Sequence, residues 1–198
     1  MPPIPPMCRS VWWAFAFAGA IALVAAAAAA LEVASAPLIV GAWQVVAGTL
    51  LVIALVRAPV GIAQAIPFIG VAFGGFVLGA VGILLPSLDP RISLIAIGIW
   101  AVLAGAGFLA VARLAAAQRV VDVSLLRIAW ATIATGVVVS TFPAFGLGNS
   151  PLAPAAGLAI TGALTIAASL RLHVMPDAAP AVLSNREARR RERADPRP

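Results

Sequence analysis

Apolar residues run along this chain in stretches too long for a strand and too evenly apolar for an amphipathic surface helix. Six stretches stand out, at 11–31, 38–56, 67–85, 92–112, 126–142 and 152–172. Each comes close to the ~20 residues a helix needs to cross a hydrocarbon core ~30 Å thick. The breaks between them collect proline and charge: Glu32 to Pro37, Arg57 to Pro59, Pro86 to Arg91, Arg113 to Arg127, and Pro143 to Pro151. Proline suits such places because it lacks the N–H that continues a helix ladder. The pattern predicts six transmembrane helices.

Within this pattern one phrase occurs twice. Gly41-Ala42-Trp43-Gln44-Val45-Val46-Ala47-Gly48 returns as Gly98-Ile99-Trp100-Ala101-Val102-Leu103-Ala104-Gly105, and 98 minus 41 is 57. The same offset relates Gly48, Gly105 and Gly162, then Gly79 and Gly136, Pro86 and Pro143, and Glu32 and Asp89. In the third copy Ala155, Gly157 and Thr161 stand where Gly98, Trp100 and Ala104 stood. A fixed period of this size marks a repeat architecture. Each period holds two spans, so every copy enters the membrane in the same direction. The expectation is an all-α membrane protein of three parallel two-helix repeats, at about 11–57, 67–114 and 125–172, arranged as a pseudo-threefold bundle.

The glycines bear on how such a bundle holds together. Lipid tails give helices no hydrophobic reason to associate, so small residues that let backbones approach closely must supply the contact. Gly41, Gly48, Gly79, Gly98, Gly105, Gly136 and Gly162 are the expected packing positions. Gly41 and Gly48 are seven residues apart and share one helix face, as do Gly98 and Gly105. Trp43 and Trp100 are expected to fill space beside them. The same glycine faces offer a surface to a second copy or to another membrane protein.

Composition narrows the class. The chain has 198 residues, 63% of them hydrophobic and 10% charged, where a soluble domain carries roughly 25% charged residues. Short alternating segments of a membrane β-barrel are missing. The net charge is +6 and every basic residue is arginine, but the arginines stand beside helix ends, which speaks for topology rather than nucleic-acid binding. Arg9, Arg57, Arg113, Arg119, Arg127 and Arg171 fall on one side; Glu32, Asp89 and Arg91 fall on the other. The positive-inside rule puts the arginine-rich side, with both termini, in the cytoplasm. Residues 1–10 then form a cytoplasmic segment, 11–174 the membrane domain and 175–198 a polar, arginine-rich cytoplasmic tail. Ala34-Ser35-Ala36 resembles a leader cleavage site, yet the apolar run before it is longer than a leader needs. The repeat also gives the first span the third and fifth as partners, so it is expected to be retained.

Chemistry is sparse. Gln44 is the most polar residue well inside a span, and Ala101 stands at its repeat position. Thr132, Thr135, Ser140, Thr141, Thr161 and Thr165 are expected to bond carbonyls of their own helices. No intramembrane carboxylate marks a proton path, and no catalytic motif, metal-ligand spacing or phosphate loop is present. A lone cysteine, Cys8, can form no internal disulfide. The expectation is a protein without catalysis, cofactor or metal, whose surroundings are the lipid bilayer. Glu32 and Asp89 are the two acids of the outer face and could titrate there only in strong acid, since unperturbed carboxylates have pKa values near 4.

The segments Gly79–Pro86, Gly98–Gly105 and Gly136–Pro143, together with Gly162, give a pattern of two-helix repeats. A proline closes the odd helix and glycine enriches the even one. This pattern resembles the HdeD family of small bacterial membrane proteins over nearly all of 11–172. The first repeat departs from it, with Ala29 at the proline position. The resemblance implies a six-span inner-membrane protein associated with acid or envelope stress tolerance, and it carries no catalytic residues. A small-solute channel or carrier, and a structural subunit of a membrane complex, are the alternatives from other classes. The orientation is directly testable. A membrane-impermeant maleimide is expected to modify Cys8 in inverted membrane vesicles but not in right-side-out ones; the opposite labelling would reverse the topology.

Overall fold

A computed structural model describes residues 7–58, 62–117, 122–146, 150 and 152–174. Arg119 and the 175–198 tail lie outside the described residues. The fold is an all-α bundle of α1 Met7–Ala30, α2 Ala36–Arg57, α3 Ile62–Leu84, α4 Pro90–Ala117, α5 Val123–Thr141 and α6 Leu152–Val174. All six contain a stretch long and apolar enough to cross a membrane. Trp12 near the start of α1 packs against His173 at the end of α6, the rings tilted by 43° with centroids 4.4 Å apart. That contact puts both ends of the described chain on one face, here called the terminal face. The opposite face carries the connections α1–α2, α3–α4 and α5–α6.

Local chemistry explains most boundaries. Asp122 caps α5, its carboxylate accepting from the backbone N–H of Ser124 at 2.8 Å and Leu125 at 3.1 Å, which satisfies two donors the helix leaves open. α3 stops at Leu84, two residues before Pro86. After α5 a 3-10 turn, Phe142–Phe145, carries Pro143 and ends at Gly146 with φ 74°. Two boundaries differ most from the sequence reading, each by five residues. α3 starts at Ile62 and takes Pro67, its sixth residue, into its interior, where the ring removes the N–H that would bond the carbonyl four residues back. α4 runs on to Ala117, since nothing in Arg113 to Ala117 breaks a helix.

Burial recurs in step along the three even helices. On α2 it takes Val40, Gly41, Trp43, Gln44, Ala47, Gly48, Leu51 and Ala54. Moving 57 residues on, Ile97, Gly98, Trp100, Ala101, Ala104, Gly105, Phe108 and Val111 of α4 are buried. Another 57 on, so are Pro154, Ala155, Gly157, Leu158, Thr161, Gly162, Thr165 and Ala168 of α6. α3 and α5 bury the smallest share of their spans and present Phe73, Val77, Trp130 and Val137 outward, as a lipid-facing surface does. The most extensive pairings are α1 with α6, α4 with α5 and α2 with α3. None of these lies inside one of the units drawn from the sequence; each joins an even helix to an odd helix of a neighbouring unit.

The approach in those pairings is at backbone range. A β-carbon added at Gly41 would stand 2.7 Å from the Gly79 carbonyl oxygen, and one at Gly98 would stand 2.5 Å from that of Gly136. From the other side, a β-carbon at Gly79 would meet Gly41 O and Val45, and one at Gly136 would meet Gly98 O and Val102. Across the offset of 57 the contacts at Gly79 and Gly136 match atom for atom, and those at Gly41 and Gly98 share the carbonyl oxygen and the backbone nitrogen of Ile83 or Ser140. Gly162 on α6 meets Gly19 on α1 in a similar way, at 2.9 Å. Where a carbonyl oxygen of a neighbouring helix blocks the added carbon, whole helices must separate. Gly98→Ala is therefore expected to lower stability by about 1–3 kcal/mol. Gly70→Ala, where nothing lies within 4 Å, should be neutral or raise it by up to about 1 kcal/mol. Reversible unfolding in mixed micelles checks both; equal effects at the two sites would contradict the packing account.

Candidate functional site

The middle of the bundle holds two tryptophans and little water-loving surface. Trp43 and Trp100 meet edge to face with centroids 4.7 Å apart, a geometry worth about 0.5–1.5 kcal/mol beyond burial. Trp43 Nε1–H donates to the Ala18 carbonyl at 3.0 Å, tying α2 to α1. Toward the terminal face Phe15 packs on Phe68 and Phe108, at 5.5 and 4.8 Å. All five rings are buried, so the interior here is filled by side chains. In the third copy Gly157 packs against side chains: a β-carbon there would lie 3.3 Å from Val139 and 3.6 Å from Ile97.

Against this packing the polar atoms stand out. Gln44 is fully buried, and its Nε2–H donates to the Ala96 carbonyl at 2.9 Å, linking α2 to α4. That bond fixes the amide so that Oε1 is left as an acceptor, and it has no partner. Ser93 Oγ, Trp100 Nε1 and Thr161 Oγ1 are also buried without partners. An unmade hydrogen bond on a buried neutral group costs about 1–3 kcal/mol, so these are places where the fold gives up stability. Of the six hydroxyls expected to bond within their own helices, Thr132, Ser140, Thr141 and Thr165 each donate to a carbonyl of their own helix. Thr161 and Thr135 do not make that bond.

Two of the four unpartnered atoms belong to residues lining one crevice. It has a volume of about 80 Å³ between α2, α3 and α4, near the face opposite the termini. Pro37, Gln44, Gly82, Leu88, Ser93 and Ile99 are among its walls, most of which are aliphatic. The sequence singled out Gln44 and missed Ser93. The repeat partner of Ser93 is Ser150, which precedes α6 and accepts from Leu152 N–H at 3.3 Å, so Ser93 reads as a helix-start residue. Because α4 begins earlier, at Pro90, Ser93 lies inside the helix and becomes buried.

The two acids lie on the face opposite the termini. Asp89 accepts from the Arg91 backbone N–H at 2.8 Å and stands 3.9 Å from the Arg91 guanidinium. Glu32 sits at the end of α1 with φ 52°, while Val33 N–H reaches back to Ala28 O and Glu32 N–H to Ala29 O. This is the helix stop that glycine normally fills. Among the described residues no group of three or more His, Cys, Asp or Glu could hold a metal ion.

No protein-family model, no curated protein and no solved structure matches this chain. What stands is a multi-pass helical membrane protein, and its likeness to HdeD rests on the motif residues alone.

Glu32 gives a measurable consequence. A left-handed backbone costs a residue with a β-carbon roughly 1–2 kcal/mol. Glu32→Gly is thus expected to raise stability by about 1 kcal/mol, read as a higher unfolding midpoint. A lower midpoint would show that the carboxylate itself holds the turn.

Proposed function

We propose that this chain is a non-catalytic, six-span protein of the HdeD type. It stands in a bacterial inner membrane with both termini in the cytoplasm and contributes to tolerance of acid or envelope stress. Its units are three parallel two-helix repeats about a pseudo-threefold axis. The observation that carries the reading is the burial register, which recurs at 57-residue steps along α2, α4 and α6. The matching glycine contacts of α2 with α3 and α4 with α5 support it further. The aromatic interior favours a packed scaffold over a conduit. The stress role draws on the resemblance and on Glu32 and Asp89, which share one face while the spans carry no acid.

A small-solute carrier is the second reading, and the crevice at Gln44 and Ser93 favours it. A solute following the bundle centre would have to displace Trp43 and Trp100, which are both buried.

Deleting the gene is expected to lower survival in strong acid, and the wild-type chain should restore it. A chain with Glu32→Gln and Asp89→Asn should restore less if the outer acids act. Unchanged survival of the deletion strain would contradict the acid role. Solute flux in proteoliposomes would support the carrier reading instead.

A further inference from the structure

We propose that the crevice between α2, α3 and α4 binds a small neutral molecule with a hydroxyl end and a short aliphatic body. This goes beyond the stress-tolerance reading and does not depend on it.

The argument starts from the polar atoms. Gln44 has spent its amide N–H on Ala96, so what it offers is the acceptor Oε1, buried and unpartnered. A ligand satisfying it must bring a hydrogen-bond donor. Ser93 Oγ, also buried and unpartnered, can donate or accept. A hydroxyl, which both donates and accepts, complements the pair. The remaining wall is Val40, Val81, Leu88, Ile92 and Ile99 with their neighbours, and it suits an aliphatic body.

Charge and size narrow the class. No charged residue lines the crevice, so an ion would lose its hydration without compensation. A dry cavity of about 150 Å³ accepts a six-carbon ring. About 80 Å³ is by that measure room for roughly three or four heavy atoms. Short-chain alcohols and undissociated short carboxylic acids share the required chemistry.

The repeat argues that this is a built feature of one copy. The positions equivalent to Gln44 hold Ala101 and Leu158, both buried. The packing register therefore accepts apolar residues there, and only the first copy carries the amide. For the same reason Gln44→Leu places on α2 what α6 already holds, and the variant is expected to fold.

The experiment is saturation-transfer NMR on the full chain in nanodiscs, with propan-1-ol and acetic acid as probes. Empty nanodiscs give the partitioning background. Wild type should give a saturable signal above that background with at least one probe. Gln44→Leu and Ser93→Ala should each weaken it by about tenfold, the loss of one hydrogen bond, with helicity unchanged. Propan-1-ol binding alike above and below the acid's pKa assigns the site to alcohols. Acetic acid binding only below that pKa assigns it to the undissociated acid. No saturable signal with either probe overturns the proposal and leaves a water-filled crevice. So does a signal that both variants retain at full strength. Should Gln44→Leu fail to fold, Ser93→Ala alone decides, because it removes a single oxygen.

Discussion

Everything in this bundle depends on how closely two helix backbones can approach when lipid gives them no reason to do so. In water, burying apolar side chains would drive the helices together. Between acyl chains that gain vanishes, and contact must be won by dispersion at short range. The glycines at 41 and 79, and at 98 and 136, remove the side chains that would hold the helices apart, so that each backbone lies against the neighbouring carbonyl. α1 reaches α6 through Gly19 and Gly162 in the same manner. These glycine faces are in contact with one another within the chain.

Close backbones leave a centre of fixed width, and that width explains which large side chains occur. Two indoles fill it edge to face, and the third copy has Gly157, packed beside Val139 and Ile97. The same crowding makes the few buried polar atoms conspicuous. Gln44 breaks the near-equivalence of the copies, trades one acceptor's satisfaction for a link to α4, and borders the crevice.

Much of this was legible in the sequence. Span length, apolar runs and the prolines at 86 and 143 located six helices, because each reports a property local to a few residues. The offset of 57 located the buried face of the even helices, because one interface geometry demands small residues at fixed spacing. Pairing was not legible. The sequence grouped α1 with α2, α3 with α4 and α5 with α6 as units and left open which neighbour each glycine face meets, whereas the most extensive contacts are of α2 with α3, α4 with α5 and α6 with α1. Period alone cannot tell which neighbour an interface faces. Gly19 escaped notice because its repeat positions hold Phe76 and Ile133. Ser93 escaped because its burial depends on where α4 starts, a boundary set by Pro90 and the Asp89 cap.

The central claim is that glycine backbones touch across helices in the bilayer. Solid-state NMR on protein labelled with carbon-13 at glycine only, reconstituted in lipid, reads this without altering a side chain. The account predicts through-space correlations between Gly41 and Gly79, between Gly98 and Gly136, and between Gly19 and Gly162. Spectra in which none of these pairs correlates, with the helices otherwise intact, would contradict it.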